Sequence, residues 1–312
     1  MHYIYKYYAI FILICVLFFG CKHEPVVNID IHRFEKDFYN SEKKNLKKVI
    51  NKYPYLFPKN FAMDVWESYL IDSIRISTYK KTLDVFDEIP KIEEQISMTF
   101  GLIHSFCPEF ENPKVVTLNS QDQYETRVIY ADSVLLISLD QYLGFDYYPE
   151  IPEYIARNMT RKHISNDVCE KISQKFVSRP KDRSLIAEMI YHGKIIYLTK
   201  LFSPYNEDYI KFHTTKKKVN WAQDNERYIW GYFIENNFLF NTENELKSRF
   251  ITFSPFSKFN LDIDKFSPGS IGKWLGYRIV NSYMENNNIE ISQLIEDDFY
   301  KIFSKSKYKP KK

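Results

Sequence analysis

Hydrophobic and polar positions alternate over residues 27–34 (VNIDIHRF), a period of two that predicts a strand. From Ser41 the spacing changes: Leu46, Val49 and Ile50 share one helical face until Pro54 stops the run. Further helices are predicted at 62–74, 79–86 and 91–106, the last opened by Pro90 and halted by Pro108. Two β-rich runs follow. Residues 113–118 (PKVVTL) and 126–139 (TRVIYADSVLLISL) carry β-branched side chains, and the second is broken by a turn at Ala131-Asp132 before Asp140 closes it. Beyond Gly144 the pattern is helical, with segments predicted at 152–159, 167–176, 183–202, 221–237, 243–251, 269–286 and 292–303. Helices, a small central sheet and a helical half predict an α+β fold, mainly helical, as a single domain over 28–312. The stretch 134–139 is read as an exposed sheet edge able to receive an extended chain. Its nearly unbroken apolar run equally suits an interior strand.

The N-terminus follows different rules. After Lys6, residues 7–20 (YYAIFILICVLFFG) contain no charge. An apolar run of about 14 residues is short of the ~20 that a membrane-spanning helix needs, but fits the core of an export signal. Gly20 followed by Cys21 resembles the lipobox of bacterial lipoproteins, although Phe18 and Phe19 depart from its usual aliphatic and small residues. The expectation is therefore a signal over 1–20, an acylated Cys21 carrying palmitate or similar chains that becomes the new N-terminus, and a short lipid-anchored spacer over 21–27. The alternative is an uncleaved anchor helix, disfavoured by the short span. Either way the body faces the periplasm, and Lys22, which is not acidic, favours the outer over the inner membrane.

Composition narrows the function. The chain is 45% hydrophobic and 17% aromatic, with 25 Tyr and 25 Phe, which excludes disorder. Only eight glycines occur, and no phosphate-cradling G-x-G-x-x-G or G-x-x-x-x-G-K-[ST] is present, so no nucleotide is expected. A net charge of +3 with short basic runs gives no nucleic-acid stripe. With Cys15 in the signal and Cys21 acylated, Cys107 and Cys169 are left, as one disulfide or two thiols.

Residues 183–202 carry the most suggestive pattern. A zinc peptidase needs H-E-x-x-H on such a helix, with two histidines as ligands and the glutamate as base. Here the aligned positions read Ala187, Glu188, Met189, Ile190 and Tyr191. The base position is kept and both ligand positions are lost. His192 falls one residue late, about 100° round the helix. Glu188 and His192, four apart, are expected to form an ion pair; a rescued metal site would need a third position such as Glu226. His32, His104, His163 and His213 stand singly and read as ordinary residues. The aromatic side chains of 221–237 and 269–286 read as core packing, with a partner patch as the alternative.

The runs LDQYLG (139–144) with Tyr147 and Tyr148, IAEMIYHGKIIYL (186–198), WAQDNERYIWGYFIE (221–235) and PGSIGKWLGYRIVNSYM (268–284), in that order, resemble the gliding-motility lipoprotein GldB family. That family is distantly similar to predicted zinc peptidases, so the resemblance implies a degenerate zincin-like metallopeptidase domain that has lost its metal. It also implies a part in gliding motility and the associated secretion machinery, acting through other envelope proteins, with no cofactor and no metal. Two alternatives stay open: a divergent zinc-dependent peptidase, and a chaperone-like binder of exported chains.

Overall fold

The computed structural model describes residues 26–310 apart from 59, 122 and 123. The expected export signal over 1–20, Cys21 and most of the expected 21–27 spacer lie outside the described residues. Four strands, β1 (Ile31–Arg33), β2 (Lys114–Leu118), β3 (Val128–Ala131) and β4 (Val134–Ser138), form a sheet in the order β1-β2-β4-β3. β1 and β2 are parallel, as are β2 and β4, whereas β3 and β4 form an antiparallel hairpin with Val128 opposite Ile137. Asp132 makes the hairpin turn at φ 50°, a left-handed conformation that Asp tolerates.

Parallel pairing requires crossovers. Between β1 and β2 the chain forms α1 (Phe34–Tyr39), α2 (Leu46–Lys52), α3 (Met63–Ile71), α4 (Ser73–Phe86) and α5 (Pro90–Phe106). After the sheet come α6 (Glu153–Ala156), α7 (Ile164–Phe176), α8 (Leu185–Phe202), α9 (Asp208–Lys211), α10 (Lys216–Asp224), α11 (Glu226–Glu235), α12 (Asn244–Phe250), α13 (Ile271–Asn286), α14 (Ile291–Glu296) and α15 (Phe299–Lys305). The fold is α+β and mainly helical.

β4 lies inside the sheet, so the reading of 134–139 as an edge is corrected; β1 and β3 hold the edges. Its alternate side chains serve two cores. Leu135 and Ile137 join Ile92, Ile96 and Phe100 of α5 and Val168 and Ile172 of α7. Val134 and Leu136 turn to Phe38, Leu46 and Tyr53 on the other face. A strand covered on both faces reads as an apolar run, which hides its alternation.

A third core fills the helical half, with Phe233, Phe250, Leu275 and Ile279 around Ile186, Met189 and Ile190. Further along α8, Tyr191, Ile195, Leu198 and Phe202 belong instead to the core against the sheet. A helix buried on nearly every side is apolar nearly all round, as α8 is. α8 and α13 cross where glycine faces glycine: a Cβ on Gly193 would lie 2.3 Å from the Gly276 carbonyl carbon, and one on Gly276 would lie 1.8 Å from the Met189 carbonyl oxygen. No helix among the described residues is long and apolar enough to cross a membrane.

Local polar side chains break helices that periodicity alone would run together. Asp72 caps α4 by accepting from the Arg75 amide, ending α3 at Ile71. Asn225 separates α10 from α11, its amide donating to the Trp221 carbonyl. Asp298 caps α15 in the same way as Asp72 and divides 292–303.

Candidate functional site

Asp167 and Glu170 stand three apart on α7 and so share a face. His213, past the end of α9, is brought to them by a left-handed turn at φ 48°, after which Thr215 caps α10. His213 Nε2 lies 2.8 Å from Glu170 Oε2 and 3.9 Å from Asp167 Oδ1. The other oxygen of each carboxylate is held by neighbours. Asp167 Oδ2 accepts from Arg127 Nε and from the Tyr142 hydroxyl, both at 2.7 Å, and Glu170 Oε1 accepts from Gln174 Nε2 at 3.3 Å. Asn158 Nδ2 donates to the His213 carbonyl at 3.3 Å, fixing the turn.

The trio opens onto a cleft of about 300 Å³ whose walls include Arg127, Asn158 and Lys273. Burial raises the Asp167 carboxyl, but Arg127 and His213 outweigh it and hold it below its ordinary value. At Glu170 burial likewise opposes ionisation, yet the His213 hydrogen bond and charge take it down to about 2. Burial pushes Lys273 down. It also pushes His163, stacked on His213, and His192 down to about 3, helped at His192 by the Lys273 ammonium. Three buried atoms around the site, Asp167 Oδ1, Asn158 Oδ1 and His163 Nε2, have no hydrogen-bond partner among the described residues. The trio can hold a cation, and without one His213 Nε2 and Glu170 Oε2 lie within hydrogen-bonding distance.

The model of the gliding motility protein GldB family matches residues 21–310. The chain belongs to that family. No curated protein and no solved structure matches it. Membership makes this GldB-family chain a gliding-motility-associated protein.

The residues that the sequence singles out in this GldB-family chain go to separate places. Glu188 does not pair with His192: its Oε1 accepts from Lys247 at 3.0 Å and its Oε2 lies 3.5 Å from Arg179. Two cations outbid an imidazole that burial keeps neutral. His192 instead lies with Glu170, His213 and Lys273 around a smaller pocket. Ala187 and Tyr191 are buried, with the Arg179 guanidinium 4.5 Å above the Tyr191 ring. Glu226 is taken up by Arg278, at 2.8 and 3.2 Å, and by the Tyr308 hydroxyl at 2.7 Å. Cys107 and Cys169 are both free thiols, Cys169 buried 3.3 Å from Thr99 Oγ1. Of the aromatic side chains, Phe233, Trp274, Tyr277 and Tyr283 are core residues, while Tyr228 is exposed.

The trio itself was missed by the reading of single histidines. An Asp-x-x-Glu pair on an amphipathic helix is the signal that points to two of its three members. His213 is 43 positions from Glu170, a separation that carries no recognisable spacing.

Proposed function

We propose that this chain is a lipoprotein of the cell envelope, held by an acylated Cys21, that serves the gliding machinery through protein contacts and not by catalysis. The observation that carries the reading is the family likeness, which begins at Cys21 and runs to residue 310. A likeness that starts at the cysteine supports its role as the first residue of the mature chain. Two or three acyl chains hold far more firmly than one, since each buried methylene contributes about 0.8 kcal/mol. With no long stalk after Cys21, residues 28–312 would form one domain close to the membrane, the outer one by the choice of Lys22. There, fixed position raises the effective concentration of envelope partners.

Against a peptidase stand Ala187 and Tyr191 at the would-be ligand positions of α8, and Glu188, whose carboxylate is engaged by Lys247 and Arg179. We take Glu188 as a tie between α8 and α12.

Radioactive palmitate labelling of cells expressing the native chain or Cys21→Ser tests the anchor. Label in the native chain alone, with motility lost in the variant, is expected. Equal labelling of both, or full motility from an unlabelled variant, overturns the reading.

A further inference from the structure

We propose that Asp167, Glu170 and His213 form a binding site for a divalent transition-metal ion, zinc fitting best. Their three ligand atoms lie within 4.8 Å of one another. Zinc binds carboxylate oxygen and imidazole nitrogen at about 2.0–2.2 Å, so tetrahedral ligands sit roughly 3.4 Å apart. The separations of 2.8 and 3.9 Å about His213 Nε2 bracket that value.

Orientation points the same way. Metal-binding carboxylates and imidazoles are usually held by partners outside the ligand set. Arg127 and Tyr142 occupy one oxygen of Asp167 and Gln174 one oxygen of Glu170, which leaves Oδ1 and Oε2 turned towards His213. Asp167 is 5% exposed, and its Oδ1 has no hydrogen-bond partner among the described residues. A buried carboxylate oxygen left unpaired is costly, and coordination removes the cost. The left-handed backbone at His213, tied down by Asn158, is a strained conformation of the kind that gathers at binding sites.

Coordination needs the His213 proton on Nδ1, leaving the Nε2 lone pair for the metal. Three protein ligands leave a fourth position, and the cleft supplies room for it. A zinc ion balances the two ligand carboxylates and the Arg127 guanidinium adds one charge, so the loaded site carries excess positive charge. The fourth ligand is therefore expected to be anionic: hydroxide, or a carboxylate of a bound chain. The site stands apart from the gliding reading, because metal content and motility are measured separately.

The test is calorimetric titration of the full chain in detergent with zinc chloride, after stripping with chelator. One zinc per chain is expected, with a dissociation constant below about 1 μM. Glu170→Gln and His213→Gln should each weaken it by on the order of 100-fold or more, Tyr142→Phe by about 10-fold through loss of orientation, and Glu226→Gln not at all. The variants' circular dichroism in chelator should match the native spectrum. Should they fail to fold, anomalous diffraction at the zinc edge from native crystals decides, with a peak among the three ligand atoms expected. No binding by the native chain, binding unchanged in both ligand variants, or an anomalous peak elsewhere overturns the proposal.

Discussion

The crossing of α8 and α13 makes the sharpest stability prediction. In an open helix Gly→Ala stabilises, by about 1 kcal/mol from helix propensity alone. Gly231, inside α11, is such a case, since a Cβ there would meet only Glu235 Oε1 at 3.9 Å. At Gly276 the added Cβ would lie 1.8 Å from the Met189 carbonyl oxygen, about 1.6 Å short of ordinary contact. The obstacle is backbone, so no rotamer change relieves it and the helices must separate. That opens voids around Met189, Leu275 and Ile279, which are now fully buried. Overpacking costs about 1–3 kcal/mol and occasionally more. The rigid obstacle puts this site at the upper end, and the propensity gain offsets part. Gly276→Ala should therefore lose about 2 kcal/mol, or about 3–4 °C in Tm for a chain of this size, while Gly231→Ala gains slightly. Gly193→Ala should behave like Gly276→Ala, and the double variant should lose less than the sum, because the first alanine already parts the helices. Urea unfolding followed by circular dichroism measures all four. Equal or greater stability of Gly276→Ala would refute the close-approach argument.

Lys194 supplies a pH prediction. It is buried and donates to the Ile295 carbonyl at 3.0 Å, and burial pushes it down to about 8 from 10.5. The folded state then binds fewer protons than the unfolded state between those values, so this group's contribution to stability rises as pH climbs from about 8 to 10.5. The native chain should gain on Lys194→Met by on the order of 2 kcal/mol over that window, read by urea titration at each pH; a flat difference contradicts the assignment. Glu226→Ala should destabilise by about 3 kcal/mol, since it leaves Arg278, the less buried partner, uncompensated. Thermal unfolding checks this, and a loss below about 0.5 kcal/mol would mean that the pair contributes no more than a surface pair.

Pattern reading located the sheet and most helices because each has one dominant environment. It merged α3 with the start of α4, and α10 with α11, because a single Asp72 or Asn225 ends a helix without disturbing the apolar period. The Glu188–His192 spacing was legible and its outcome was not: helical geometry allows the pair, but Lys247 and Arg179 arrive from elsewhere in the chain.

Local order alone determined the apolar N-terminal run that stops before Cys21, the alternation of strands and helices, and the presence of Ala187 and Tyr191 on either side of Glu188 in α8. These are properties of neighbours in the chain, fixed by periodicity and residue type. The tertiary structure decided what depends on distant residues: that β4 is interior, that Gly193 meets Gly276, and that His213 joins Asp167 and Glu170. Side chains 43 or more positions apart meet only when packing folds the chain back, and spacing along a sequence carries no record of that approach.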